Sequence, residues 1–364
     1  MTGFAIFTPD MPALKQTFRV AVACAIAFAA YKLLGLQQGY WAVFTVLIVM
    51  QGSLGGTLGA AFDRMLGTLV GAGLGALGAL IHDDGTLATG GALVAATALG
   101  TYVAMLRPQL KVAPVTASIM MLTMPHGTPI ADFVIDRVVE ITLGGAIGVA
   151  AMALILPASS QAMVTLRAAA ALDKMLDLIG RMADAVATGE TTSFVVPLVE
   201  LRPALAAIEQ ALREADREHA ARLSRHAIPA AVPRTLWRIR SDIVLVARAL
   251  DPPFPQPVRV LLGEAAADVL RQIGNDMAAC GTALRTRRAV ERIDIAGSRG
   301  AFSSAFASFR TSAEGNALSL DVAGRVFGIS FALDELVRDL RDLAVRIDEM
   351  NSAVLPPSSS ANER

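Results

Sequence analysis

Long apolar runs with few charged residues fill the first part of the chain, up to residue 157. A helix crosses the hydrocarbon core of a membrane with about 20 mostly apolar residues, and a basic residue near its end can reach back to the interface. The runs therefore predict six transmembrane helices, of which the fifth is short and contains Pro114. The predicted spans cover residues 20–36, 40–62, 65–81, 85–106, 112–124 and 133–156.

Beyond residue 157 the apolar positions recur in steps of three and four, which gives each helix one apolar face. Turn-forming residues interrupt this pattern at several points, the longest being the Gly- and Ser-rich segment 295–315. The pattern predicts an antiparallel bundle of about five helices over residues 158–355, with a mobile loop at 295–315 before the last one. Residues 356–364 are expected to form a disordered tail. The predicted fold class is all-α, with a six-helix membrane domain over residues 1–157 followed by this bundle.

The charged residues divide the chain at the same place. Residues 1–157 hold 14 of the 64 Asp, Glu, Lys and Arg residues, and the remaining 207 residues hold 50. Basic residues favour the cytoplasmic side of a membrane protein. With the N-terminus inside, six basic residues are cytoplasmic, and only Lys32 and Arg137 lie on the other side. We therefore expect a multi-pass protein of a bacterial inner membrane with both termini and the bundle in the cytoplasm. The formal net charge of zero gives no support for binding to nucleic acid.

A shift of 73 residues superposes the two halves of the membrane region. It places Asp63-Arg64 on Asp136-Arg137, Gly71 on Gly144, and Gly75 on Gly148. Because each half holds three spans, an odd number, the second half must lie inverted relative to the first, as in many secondary transporters. The alternative is a chance similarity between helices rich in Gly and Ala. Small residues also recur at every fourth position, a spacing that lets helices pack closely in lipid; these are Gly67, Gly71, Gly75, Gly144 and Gly148.

The second span of each half is interrupted, in the first half by Gln51-Gly-Ser-Leu-Gly-Gly-Thr57 and in the second by Pro114. Broken helices at matching positions of two repeats indicate a transport site, because irregular backbone at membrane depth is tolerated where it is buried or lines a cavity. The alternative is a plain loop in one half and a proline kink in the other.

An ordered set of residues resembles the signature of the fusaric acid resistance and aromatic acid exporter family. The set is Tyr40-Trp41-Ala42, Thr45-Val46, Gln51, Gly56-Thr57, Arg64, Gly67-Thr68 and Gly71. The resemblance covers roughly residues 14–157 by motif. The family is also similar in layout to the plant aluminium-activated malate channels. It implies six membrane helices, a cytoplasmic helical region, export driven by a proton gradient, and a homodimer, since many members carry two membrane halves in one chain. Gly52 stands where the family often has proline, which leaves the local backbone of this segment open.

Several polar residues of the membrane region are candidates for a substrate or ion pathway. Arg64 and Arg137 could bind an organic anion or anchor their helices at the lipid headgroups. Their neighbours Asp63 and Asp136 could form ion pairs with them at helix starts. Glu140 is a candidate proton relay, or else a simple partner of Arg137 three residues away. The remaining candidates are Gln51, Thr57 and the aromatic pair Tyr40 and Trp41, which could instead belong to the interfacial belt.

The sequence contains no catalytic motif, no metal-ligand spacing and no nucleotide-binding loop. We expect a protein that is not an enzyme and uses no cofactor or metal. The favoured hypothesis is a secondary exporter of small aromatic or other organic acids that works as a homodimer, with a periplasmic accessory protein as a further partner. The alternatives are an organic-anion channel, and a membrane scaffold or sensor whose bundle binds a partner.

Overall fold

The computed structural model describes residues 11–81, 85–124, 128–157, 159–223, 231–292 and 295–354, and these ranges are helical and contain no strand. The chain divides into two compact units at residues 1–160 and 161–364. The expected tail at 356–364 lies outside the described residues. In unit 1 a single turn of 3-10 helix, Pro108–Leu110, precedes the fifth helix. The helices of unit 1 are α1 (Met11–Leu33), α2 (Tyr40–Val49), α3 (Leu54–Ile81), α4 (Thr86–Leu106), α5 (Ala113–Thr123) and α6 (Ile130–Leu154).

Three helices of unit 1, namely α1, α4 and α6, are long and apolar enough to cross a membrane. In contrast, α2 has 10 residues and α5 has 11, so each rises only about 15–17 Å at 1.5 Å per residue. The second helix of each half is therefore too short to cross a bilayer of about 30 Å on its own. The predicted span 40–62 is wrong, because α2 ends at Val49 and the chain turns before α3 begins at Leu54.

Hydrogen bonds at the start of α3 explain why the helix begins there. The Ser53 side chain accepts a hydrogen bond from the Gly56 backbone N–H at 3.0 Å, which satisfies one of the free N–H groups of the first turn. The Thr57 hydroxyl donates to the Ser53 carbonyl and accepts from the Gln51 backbone N–H, both at 2.9 Å. Consequently Asp63 and Arg64 lie in the third turn of α3 and not at its start. Asp136 and Arg137 likewise lie inside α6.

The two halves pack against each other in a reciprocal way. A Cβ atom placed on Gly71 of α3 would clash with the Ala113 carbonyl of α5, and one placed on Gly144 of α6 would clash with the Ala42 carbonyl of α2. Gly71 and Gly144 are 73 residues apart, and Ala42 and Ala113 are 71 apart. This exchange of partners is the pattern expected of an internal twofold relation between the halves. The glycines remove the side chain where two helix backbones come closest.

A buried arginine ties the two ends of unit 1 together. Arg19 of α1 donates from Nε to the Ile155 carbonyl at 2.8 Å and from Nη2 to the Leu156 carbonyl. These carbonyls lie just beyond the end of α6, where a helix leaves acceptors unsatisfied and carries a partial negative charge. A cation at this position therefore stabilises the end of α6.

Unit 2 is a helical bundle in which α14 packs along α9 and also contacts α11. Its core is one continuous apolar cluster. A π-helical turn, Arg259–Gly263, joins α10 to α11. The helices are α7 (Ser160–Thr188), α8 (Val195–Ala220), α9 (Ala231–Leu250), α10 (Gln256–Val258), α11 (Glu264–Thr286), α12 (Ala296–Thr311), α13 (Ala313–Asn316) and α14 (Leu320–Val354).

The predicted mobile loop at 295–315 is wrong, because most of this segment forms α12. Phe302, Phe306 and Phe309 lie at i, i+4 and i+7, so they form one apolar stripe despite the surrounding Gly and Ser residues. Phe302 and Phe309 are buried in the bundle core. Phe306 contacts the Phe327 ring of α14 with a centroid distance of 5.3 Å. The burial of this stripe outweighs the weak helix propensity of the segment.

Two carboxyl groups meet at the buried interface between α9 and α14. Asp242 is 8% exposed and Asp339 is 9% exposed. Burial, followed by the charges of Asp339 and Glu335, raises the pKa of Asp242 to about 7, and Arg238 opposes this shift. Burial also raises the pKa of Asp339, whose carboxylate pairs with Arg238 at 3.3 Å. Asp242 is therefore the member of the pair that takes up a proton as the pH falls through about 7.

The glycine contacts predict that a single methyl group destabilises unit 1. We expect Gly71→Ala and Gly144→Ala each to cost about 1–3 kcal/mol, because the new Cβ must displace a helix backbone. Gly73→Ala is the matched control, since a Cβ there meets nothing within 4 Å. The measurement is thermal unfolding of the full chain in detergent. Equal melting temperatures for Gly71→Ala and Gly73→Ala would contradict the packing described here.

The Asp242 pKa predicts that the bundle loses stability as the pH rises. An unfolded Asp titrates near pH 3.9, so between about pH 4 and pH 7 the folded state holds an extra proton, and stability falls through that window. We expect Asp242→Asn to raise the melting temperature at pH 8 by at least about 2 °C and to flatten its dependence on pH. Asp184→Asn, at an exposed position on α7, should leave both unchanged. An unaltered pH profile in Asp242→Asn would refute the assignment.

Candidate functional site

Unit 1 buries two arginines and one glutamate near one another. Arg64 of α3 is 5% exposed, Arg137 of α6 is 3% exposed, and Glu140 of α6 is 1% exposed. Burying a charged group costs several kcal/mol unless it is paired and hydrogen-bonded. We call Arg64, Arg137, Glu140 and the adjacent Trp41 of α2 the arginine site.

Arg137 has partners on three sides. Its Nη2 donates to the Gln38 side-chain oxygen at 2.7 Å, and its Nη1 lies 3.5 Å from a carboxylate oxygen of Glu140. The guanidinium also stacks on the Trp41 ring, 4.5 Å from its centroid, with the Phe133 ring 5.7 Å away. The Gln38 backbone N–H donates to the Glu140 carboxylate as well. Arg137 and Glu140 thus form a buried pair held by the α1–α2 connection.

Arg64 lacks such partners. No hydrogen bond or ion pair joins it to any of the described residues, and its Nε atom is buried without an acceptor. The positive charge of Arg137 acts on Arg64 and repels it. The site therefore holds two guanidinium groups and one carboxylate, an excess of one positive charge. An arginine cannot relieve this by losing its proton.

Unpaired donors lie on the helices that carry Trp41 and Arg64. The Trp41 Nε1 atom and the hydroxyls of Thr45 and Thr68 are buried, and none of the described residues accepts a hydrogen bond from them. Trp41 and Thr45 lie on successive turns of α2, and Thr68 lies one turn beyond Arg64 on α3. Buried polar groups are normally satisfied. Donors without acceptors beside a surplus cation are the arrangement that an anionic ligand completes.

The structure brings together four of the predicted residues, namely Arg64, Arg137, Glu140 and Trp41, and it separates the others. Gln51 and Thr57 hold the turn between α2 and α3, and Thr57 lies seven residues before Arg64 along the helix. Asp136 is exposed and Asp63 is half-buried. Neither forms an ion pair with its neighbouring arginine among the described residues.

The aromatic pair and the glycines also have definite places. Tyr40 is 42% exposed, and its ring lies 5.5 Å from that of Trp41, centroid to centroid. Thus Tyr40 faces outward while Trp41 stacks on Arg137. The glycine positions lie at helix–helix contacts. Gly67, Gly71 and Gly75 face α5, while Gly144 and Gly148 face α2.

Sequence reasoning missed Gln38, Thr45 and Thr68 as parts of the site. A second offset could have pointed to two of them. A shift of 71 residues places Gln38 on Gln109, Ala42 on Ala113 and Thr45 on Thr116. The shift of 71 places Trp41 on Val112, and the earlier shift of 73 places Gly67 on Glu140, which explains why only one arginine is paired.

The fold and the site define an all-helical membrane protein with a buried cationic centre, and within the described residues no cluster of His, Cys, Asp and Glu could hold a metal ion. Residues 20–151 match the model of the family described as fusaric acid resistance protein-like, which supports the family suspected from the motif. The match suggests a membrane transporter of the fusaric acid resistance type. No curated protein matches the chain.

Proposed function

We propose that the protein exports small organic anions, above all aromatic carboxylates, and that the arginine site binds the anionic group. The observation that carries this proposal is Arg64, a buried cation with no counter-charge among the described residues. A carboxylate can accept two parallel hydrogen bonds from one guanidinium. It would also accept from the unpaired donors of Trp41, Thr45 and Thr68.

The surroundings of the site favour an anion over other ligands. A cation would meet two arginines and be repelled. A neutral ligand would leave the charge of Arg64 uncompensated. An anion compensates the buried charge of Arg64 and so removes the free-energy cost of burying it, which favours binding of the anion. The neighbouring rings of Trp41 and Phe133 supply an apolar wall, which suits a substrate with an aromatic body.

Glu140 makes anion binding depend on pH, but a proton bound together with the anion would leave with it, so in this proposal the membrane potential drives export and not the proton gradient expected from the resemblance. A proton on Glu140 removes the negative charge closest to Arg137, so protonation and anion binding favour each other. The membrane potential, negative inside, contributes about 2.3 kcal/mol per 100 mV to the exit of a monovalent anion. The proposal therefore describes anion export whose rate depends on both pH and voltage.

Substitution of the two arginines tests the proposed binding site. In proteoliposomes containing the full chain, we expect Arg64→Gln and Arg137→Gln to lower the flux of labelled benzoate at least tenfold, a loss of about 1.4 kcal/mol or more. Arg107→Gln, at an exposed position after α4, is the control and should transport normally. Normal flux in both site variants would reject the proposal.

The stability of these variants separates a binding role from a structural one. Arg64→Gln removes an uncompensated buried charge, so its melting temperature should equal or exceed that of the wild type. Arg137→Gln leaves Glu140 buried without its cation, so its melting temperature should fall. A loss of transport in Arg64→Gln that merely follows unfolding would contradict the account.

The proposed role of Glu140 predicts that anion binding depends on pH. Benzoate should bind more tightly as the pH falls, because protonation of Glu140 frees Arg137 and removes a repelling charge. Glu140→Gln, which mimics the protonated acid, should bind benzoate well and show no change in affinity between pH 5.5 and pH 8. Isothermal titration of the detergent-solubilised chain measures this. The same pH dependence of benzoate affinity in wild type and Glu140→Gln would exclude Glu140 as the coupled group. In the flux measurement, voltage-driven flux without pH dependence would indicate an anion channel.

A further inference from the structure

Unit 2 contains an open groove between the beginning of α8 and the end of α9. Its volume is about 300 Å³, at the lower end of the range for small-molecule sites. The apolar part of its wall includes Phe194, Val195 and Val199 from the α8 side and Val244 from α9. Val195 and Val199 are each about 60% exposed, so the groove presents apolar surface to solvent.

Three arginines line the same groove: Arg202 from α8, and Arg240 and Arg248 from α9. The acid among the lining residues is Asp251, so the groove has an excess of positive charge. None of these arginines forms an ion pair within the part of the chain that the structure describes. Elsewhere in the bundle some arginines do pair with Asp or Glu, as Arg238 does with Asp339.

Arg240 shows the shortage of anions most directly. Its Nε atom is buried and finds no acceptor among the described residues. Burial, and then the positive charge of Arg202, lower the pKa of Arg240. Its guanidinium lies over the Trp237 ring at 5.7 Å from the centroid. Trp237 is in turn fixed by a 2.7 Å hydrogen bond from its Nε1 to the Glu209 carboxylate. Arg240 is thus held in place beside a second cation.

We propose that this groove binds a small organic carboxylate with an apolar body, at a site separate from the arginine site of unit 1. The carboxylate would lie between Arg202 and Arg240, where it compensates two like charges and supplies the missing acceptor. The apolar body would cover the exposed valines at the start of α8. A single-ring acid such as benzoate fits a cavity of this size. The inference does not depend on the proposed transport function.

The chain offers a local reporter for this site, because it contains only two tryptophans, Trp41 and Trp237. In the full-length variant Trp41→Phe, fluorescence reports on Trp237 alone, beside Arg240. We expect benzoate to change this fluorescence in a saturable way. Benzamide, which has the same shape without the charge, and inorganic phosphate, which has charge without the ring, should bind at least tenfold more weakly.

Arg202→Gln in this background is the decisive variant, because it removes a charge from the groove without touching Trp237. We expect it to weaken benzoate binding at least tenfold. Arg213→Gln, at an exposed position further along α8, is the matched control and should bind as the parent does. Unchanged melting temperatures verify that the variants fold.

Three results would overturn the inference: no saturable change with benzoate, equal responses to benzamide or phosphate, or unaltered binding in Arg202→Gln. None of them bears on transport through unit 1, since Trp41→Phe already alters that site. Conversely, a loss of transport in Arg64→Gln would leave the groove measurement unaffected.

Discussion

The surplus buried charge of Arg64 is the constraint on which this account rests. A guanidinium in an apolar helix bundle stays protonated, and its burial costs several kcal/mol unless an anion lies close by. Glu140 is committed to Arg137, at 3.5 Å, so it does not compensate Arg64. A fold that retains such a group must recover its cost elsewhere or have it compensated by a ligand. The unpaired donors of Trp41, Thr45 and Thr68 favour the second possibility.

Close glycine packing holds the helices that carry this site. Gly144 allows the backbone of α2 to lie directly against α6, which brings Trp41 onto Arg137. Gly71 does the same for α5 against α3, the helix that bears Arg64. Because α2 and α5 are short, each half combines two longer helices with one short helix packed on the other half. The backbone contacts of the two halves are reciprocal. The side chains at the site are not, since Glu140 and Trp41 have no counterparts in the other half.

Much of the architecture could be predicted from the sequence, because the apolar runs and the glycine spacing are local and periodic. The position of the helix ends could not. The run from 40 to 62 reads as one span by hydropathy, yet Ser53 and Thr57 end it with three hydrogen bonds that no hydropathy average contains. In the bundle, the three phenylalanines of α12 outweigh a composition rich in Gly and Ser. For the site, charge alone singled out Arg64, Arg137 and Glu140. Gln38 and Thr45 carry no charge, so only the shift of 71 residues or the packing of α2 against α6 points to them.

The central claim is that an organic anion compensates Arg64 inside unit 1. A structure of the full chain bound to 4-bromobenzoate tests this most directly, because the bromine gives an anomalous signal that locates the ligand without reference to the protein phases. The account predicts a bromine peak within unit 1 and a carboxylate in contact with the Arg64 guanidinium, near Trp41 and Thr68. An Arg64 side chain that is neutralised by a carboxylate of the protein itself, with no ligand in unit 1, would contradict it.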